Sequence, residues 1–295
     1  MATKSSESKT AVKPESEVPA SEPVKAEESA LATMDDIDYS KYAGAGTETQ
    51  DAKDIAIPFL KVLQPLSPEL DEAESKFIAD AKQGQMLNSV TGALYDGKTG
   101  LLFVPCYYER KQLRWGPRAG GGGFKGEMSE VEVAQAREKG HLINFEGRDY
   151  FTENGQVDPK KNDRLSDSRL HYGLVLSESG GLPSRVLMSL TSTQIKKSKQ
   201  FNALMRERTL SLPGGQIVIA PTFAYAYRIT TVKESNDQGS WYGVQIALHD
   251  KVKSKLIFDI AAAFYEAVRS NEVKVDLAQA TDAAPASASE DPDKF

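Results

Sequence analysis

Leu-Leu-Phe-Val-Pro-Cys-Tyr-Tyr at positions 101–108 leaves this chain little choice but a strand there. β-branched and aromatic side chains suit a pleated, half-buried surface, and successive residues alternate between its two faces. One face of the expected strand carries Phe103, Tyr107, Lys111 and Trp115. The other carries Val104, Tyr108, Arg110 (after a slip or bulge) and Arg114. The strand runs out at Gly116-Pro117-Arg118, and a glycine run, Gly120 to Gly123, leads into Phe124-Lys125. Across 101–125 the cations Arg110, Lys111, Arg114, Arg118 and Lys125 face only Glu109, a local net charge of +4. Rings interleaved with cations on an extended surface suit a single nucleic-acid strand, because bases stack on the rings and phosphates meet the cations. The competing reading is an amphipathic edge strand whose aromatics are half core and whose charges are solvated.

The overall net charge of −6 conceals a segregation. Residues 1–50 hold five lysines against ten acids, and residues 276–295 hold five acids against Lys294. What remains, 51–275, carries 30 basic and 27 acidic residues, a net of +3. Segregation of this kind marks a body suited to an anion and tails with another task. Both tails are built of Ser, Glu, Asp, Ala, Lys and Pro and bury too little to offset their ordering entropy, so they read as disordered. The reading is a disordered acidic N-terminal tail over 1–50, a single β-rich domain over 51–275, and a disordered acidic C-terminal tail over 276–295.

Other classes recede on composition. Cys106 is the lone cysteine and there are three scattered histidines, which removes a disulfide framework and argues against zinc. No apolar run approaches the roughly 20 residues of a membrane span, and the N-terminus has no hydrophobic segment of a secretory signal. A soluble, cytoplasmic protein with no cofactor is the expectation. No nucleophile motif, metal cluster or carboxylate pair stands out, so no enzymatic activity is expected.

Gly92 to Thr99 matches G-x-x-x-x-G-K-[ST] letter for letter. A phosphate loop needs a strand before it and a helix after it, whereas here a strand follows and Asp96-Gly97 signals a hairpin. Further along, an apolar run over 55–63 opens the domain, and 127–139 has helical spacing. Strands are expected at 141–145, 148–151, 168–176 and 185–190, with an exposed loop at 158–168. Thr191 to Gln194 looks like a helix cap, and the helix expected from Gln194 to Arg208 carries Lys196, Lys197 and Lys199. From Arg185 to Arg208 there are six cations and one acid. Alternation over 222–232 predicts a strand, a hairpin joins it to 240–248 with Trp241 just past the turn, and 256–268 has the clearest helical period.

The chain ends Glu290-Asp291-Pro292-Asp293-Lys294-Phe295. This acidic, aromatic-terminated ending resembles the C-termini of single-stranded DNA-binding proteins of bacteria and phages. The resemblance implies that Glu290, Asp291, Asp293 and Phe295 dock on replication or recombination proteins. The body resembles phage proteins of the replication and recombination module at Ile57-Pro58-Phe59-Leu60, Trp115-Gly116-Pro117-Arg118, Gln194-Ile195-Lys196-Lys197-Ser198 and Gly239-Ser240-Trp241-Tyr242. The fold it implies is an OB-like core with peripheral helices, within an α+β class; composition and spacing alone point to a β-rich domain with helices. On this reading Arg110, Lys111, Arg114, Arg118, Lys125, Lys196, Lys197 and Lys199 meet phosphates. Tyr107, Tyr108, Trp115, Phe124 and Trp241 are the stacking candidates. Homo-oligomerisation is left open. The alternative is a non-catalytic structural or virion-associated scaffold protein.

Overall fold

Two amphipathic helices need a sheet to cover, and the period-two apolar strands supply one with both faces buried. In a computed structural model the described residues are 38–42, 44–50, 54–117, 123–236, 239–273 and 275–279. In chain order the elements are β1 (Leu60–Val62), β2 (Met86–Asn88), β3 (Leu94–Tyr95), β4 (Leu101–Trp115), β5 (Phe124–Met128), α1 (Glu130–Glu138), β6 (Leu142–Phe145) and β7 (Arg148–Phe151). There follow β8 (Arg164–Val175), β9 (Ser184–Thr191), α2 (Ile195–Arg206), β10 (Thr209–Ser211), β11 (Ile217–Ile219), β12 (Tyr225–Asn236), β13 (Gly239–Lys251) and α3 (Lys255–Arg269). These all belong to the unit 50–295; the unit 1–49 contains a short 3₁₀ turn at Tyr39–Tyr42. The expectations for the rest of both tails fall on 1–37 and 280–295, which lie outside the described residues.

The main sheet is antiparallel, in the order β13-β12-β4-β8-β7-β6, with β5 on β4 and β9 on β8. β4 is its axis. Its first residues pair with β12, its last with β5, and most of its length with β8. Over one face lies α3, whose Ala261, Phe264 and Val268 meet Val104, Cys106, Leu170 and Leu174. Over the other lies α2, whose Phe201 and Met205 meet Phe103, Met188, Tyr227 and Ile229. Beyond these cores β4 and β8 continue as a ribbon, ending on a small cluster of Val133, Leu142 and Leu165. The α+β class and the strand-helix order therefore follow the sequence. No helix among the described residues is long and apolar enough to cross a membrane.

Several local expectations change. Cys106 is an extra residue between Pro105 (opposite Gly173) and Tyr107 (opposite Tyr172), so β4 changes parity there. Tyr107, Glu109 and Lys111 therefore share the α3 face with Val104, while Tyr108, Arg110 and Arg114 share the α2 face with Phe103. The expected loop at 158–168 is half strand, because Arg164 onward has β4 and β7 to pair with. α2 has no side-chain cap; its N-cap is Gln194, preceded by a 3₁₀ turn at Ser192–Gln194. The capping box occurs at α1 instead, between Ser129 and Glu132. Leu277, placed in the tail by composition, packs against the α3-side core.

The phosphate-loop lookalike is a turn. Asp96 Oδ1 accepts from the Lys98 and Thr99 amides at 3.0 and 2.7 Å, and β4 follows. β3 pairs with β2 rather than β4, so the expected Asp96-Gly97 hairpin is a tight turn between sheets. Gly97 is required by crowding: a Cβ there would lie 2.0 Å from the Gly84 carbonyl oxygen.

Candidate nucleic-acid interface

The bulge at Cys106 decides which predicted side chains meet. On the α2 face of the ribbon stand Tyr108, Arg110 and Arg114 from β4, with Asp167, Arg169 and His171 opposite them on β8. Lys125 on β5 reaches the same cluster.

Two aspartates organise it. Asp163 accepts from Arg114 Nε at 2.7 Å and from Lys125 Nζ at 2.7 Å, and keeps 8% of its surface exposed. Burial alone would raise its carboxyl pKa, but hydrogen bonds from Lys125 and Arg114 outweigh that and hold it below the usual range. Asp167 takes both Arg110 (Nη2 at 2.9 Å) and Arg169 (Nη2 at 2.7 Å), and Glu130 adds a contact of 3.4 Å to Arg110. The Arg114 guanidinium also lies 4.1 Å from the Phe151 ring centroid, which fixes its plane. An Arg plane held in this way is a surface on which a base can stack.

Tyr108 is half-buried, its ring 5.0 Å from His171 and its hydroxyl accepting from Arg169 Nη1 at 3.2 Å. His171 is fully buried. Its Nε2 pairs with Ser198 Oγ of α2 at 2.8 Å, so the two groups join β8 to the helix. Burial, with Arg169 nearby, lowers the His171 pKa to about 3, so the ring is neutral.

α2 carries the second set of cations on the same side of the sheet. Ile195, Ser198, Phe201 and Met205 point into the fold. Lys196, Ala203 and Arg206 are exposed, with Lys199 half-buried along the same helical line. Lys197 contacts Glu234 at 3.3 Å.

The remaining predicted residues sit elsewhere. Tyr107 packs on the α3 side, its ring 6.2 Å from Tyr172 and 6.1 Å from Tyr265. Lys111 on that face pairs with Glu127 at 2.9 Å. Trp115 keeps 7% of its surface exposed and packs on half-buried Phe124, with ring centroids 5.5 Å apart. Trp241 is 8% exposed and donates from Nε1 to Glu234 at 2.9 Å. Both tryptophan rings are covered by protein. Arg118, Glu290, Asp291, Asp293 and Phe295 lie outside the described residues. Arg169, Phe151 and the two organising aspartates were missed by sequence reasoning. The available signal was the period-two spacing of Asp163, Asp167, Arg169 and His171, hidden by reading 158–168 as a loop.

A family model described as Pam3 phage gp34-like protein matches residues 25–274. No curated protein and no solved structure matches the chain.

Proposed function

The chain belongs to the Pam3 phage gp34-like protein family, and from that premise we propose that it is a single-stranded DNA-binding protein of phage replication or recombination, without catalysis of its own. One observation carries the reading. The bulge at Cys106 turns Tyr108, Arg110 and Arg114 to the face that also bears α2 and its Lys196, Lys199 and Arg206. Rings and cations thus share one side of the sheet, as a stacked strand with a phosphate backbone requires. Arg114, held flat over Phe151, and Tyr108 are the stacking surfaces; the cations of α2 and the ribbon take the phosphates. Lys125 and Lys197 belong to the same set, and Arg118 joins it on the sequence reading alone; Tyr107, Trp115, Phe124 and Trp241 serve in packing, and Lys111 pairs with Glu127 on the opposite face.

The OB-like element of the proposal rests on β4, one long strand with one edge shared between β12 and β5 while β8 holds the other. The acidic ending at Glu290, Asp291, Asp293 and Phe295 docks replication or recombination partners, and the protein works in the host cytoplasm. A fluorescence titration with single-stranded and duplex DNA at two salt concentrations tests the reading. Single strands should bind preferentially, with affinity falling steeply as salt rises; a flat salt response, or no binding at low salt, overturns it.

A second reading, a structural or virion-associated scaffold protein, draws on the ion pairing of the ribbon. Asp163, Asp167 and Glu130 already serve Arg110, Arg114 and Lys125. It predicts no DNA binding at any salt.

A further inference from the structure

β13 is an edge strand: β12 holds one side of it, and among the described residues no strand pairs the other. An open edge is a row of unmade backbone hydrogen bonds, which folded proteins protect. Here protection is present at both ends of the strand. Gln64 accepts from the Tyr242 amide at 2.8 Å and donates to its carbonyl at 2.9 Å. Gln194 accepts from the Val244 amide at 2.9 Å. At the other end His249 forms a bulge between the pairs Tyr227–Leu248 and Ala226–Asp250, and charged Asp250 and Lys251 follow. Between these guards lie Gln245, Ile246, Ala247 and Leu248.

This gap has the pattern of a self-complementary edge. Since Tyr242 and Val244 turn their amides outward, the period of two turns those of Ile246 and Leu248 outward as well. Both side chains lie on the α2 face, opposite Ile229 and Tyr227 of the core. Ile246 packs against that core, while Leu248 is left 40% exposed. Ala247 between them is exposed and small.

We infer that Ile246–Leu248 pairs antiparallel with the same segment of a second copy, about a two-fold axis at Ala247. In that register Ile246 of each copy exchanges both backbone hydrogen bonds with Leu248 of the other. The two apolar side chains meet across the strands on the core face. Ala247 faces Ala247 in the non-hydrogen-bonded position, where strands come closest and a larger side chain would crowd. Glutamine caps and bulge limit the ladder to these four bonds, so the dimer is weak, with Kd on the order of 10–100 µM. A two-fold normal to the sheet puts the α2 helices of both copies over one side. The pairing does not depend on nucleic acid.

Cysteine cross-linking tests it. Non-hydrogen-bonded antiparallel partners have Cα atoms about 4.5 Å apart, within disulfide reach. Native Cys106 gives little background, being buried with its thiol pKa pushed up. Under mild oxidation at about 100 µM protein, Ala247→Cys should form a covalent dimer well above Ser211→Cys, an exposed control on β10. Light scattering of the native chain should show mass rising toward a dimer over the same range, and Leu248→Lys should hold it at the monomer with an unchanged melting temperature. A monomeric mass at about 200 µM, or Ala247→Cys cross-linking no better than Ser211→Cys, overturns the proposal. So does a dimer that survives Leu248→Lys, because another surface then holds it.

Discussion

The β4–β8 ribbon and helix α2 look alike as linear sequence, each a run of cations with few acids. They differ once folded. A strand inside a sheet has a neighbour about 5 Å away on each edge, and β8, with Asp163 just before it, sets Asp163 and Asp167 beside Arg114 and Arg110. A helix on the surface turns one side to solvent, and α2 leaves Lys196 and Arg206 exposed there. The ribbon spends much of its charge on its own architecture, whereas Lys196 and Arg206 of the helix stand on its solvent side. On the proposed function, phosphate affinity should therefore reside mainly in α2, with the ribbon offering planes for base stacking.

The largest effect that would break this comparison comes from reversing the helix. Lys196→Glu with Lys199→Glu and Arg206→Glu should lower single-stranded DNA affinity on the order of 10²–10³-fold at about 50 mM salt, from three lost phosphate contacts at about 0.7 each in the salt slope. Arg110→Ala should lower it less than tenfold. A titration in which the ribbon variant loses more than the helix variant reverses the assignment.

Trp115→Ala should cost roughly 3 kcal/mol of stability, the usual penalty for emptying a large aromatic site. DNA affinity of the protein that remains folded should change less than threefold. Denaturant melts and titrations on the same sample separate these effects, and a variant that melts normally but binds poorly would make Trp115 a stacking residue.

The seam between ribbon and helix is His171–Ser198. The folded pKa of His171, about 3, lies below the ordinary 6.5, so the unfolded chain takes up a proton that the native protein refuses. Stability is complete above pH 6.5 and falls as pH drops toward 3, by about 2 kcal/mol at pH 5. His171→Gln should flatten denaturant stability between pH 7 and 5. Carboxylates such as Asp163 contribute their own loss only below about pH 4. An equally steep variant would assign the slope to another group.

The smallest effect compares the ribbon's two faces. Tyr108→Ala should weaken DNA binding by about 1–2 kcal/mol if a base stacks on it. Lys111→Ala, on the α3 face and paired with Glu127, should alter affinity less than twofold. Equal losses would mean that DNA does not distinguish the faces.

Much of this fold was legible along the chain. The apolar alternation of β4, β8, β9 and β12 and the 3–4 spacing of α3 are local patterns, set by the geometry of each element and the need to bury one face. The turn at Asp96-Gly97 was equally local, although its strand partners were not. Three things were settled only by the tertiary structure. The parity of β4 depends on one unpaired residue, Cys106, and a bulge is defined by the partner strand rather than by its own sequence. Which ribbon cations are held in ion pairs depends on acids some 40 to 60 positions away, brought beside them by the pairing of β4 with β8 and β5. Trp115 and Trp241 read as stacking rings because large aromatics serve equally as core and as surface, and burial is a property of the assembled sheet. Composition and period act within a few residues of one another, while register, parity and burial arise between segments, so the elements were written in the sequence and the site was made by their pairing.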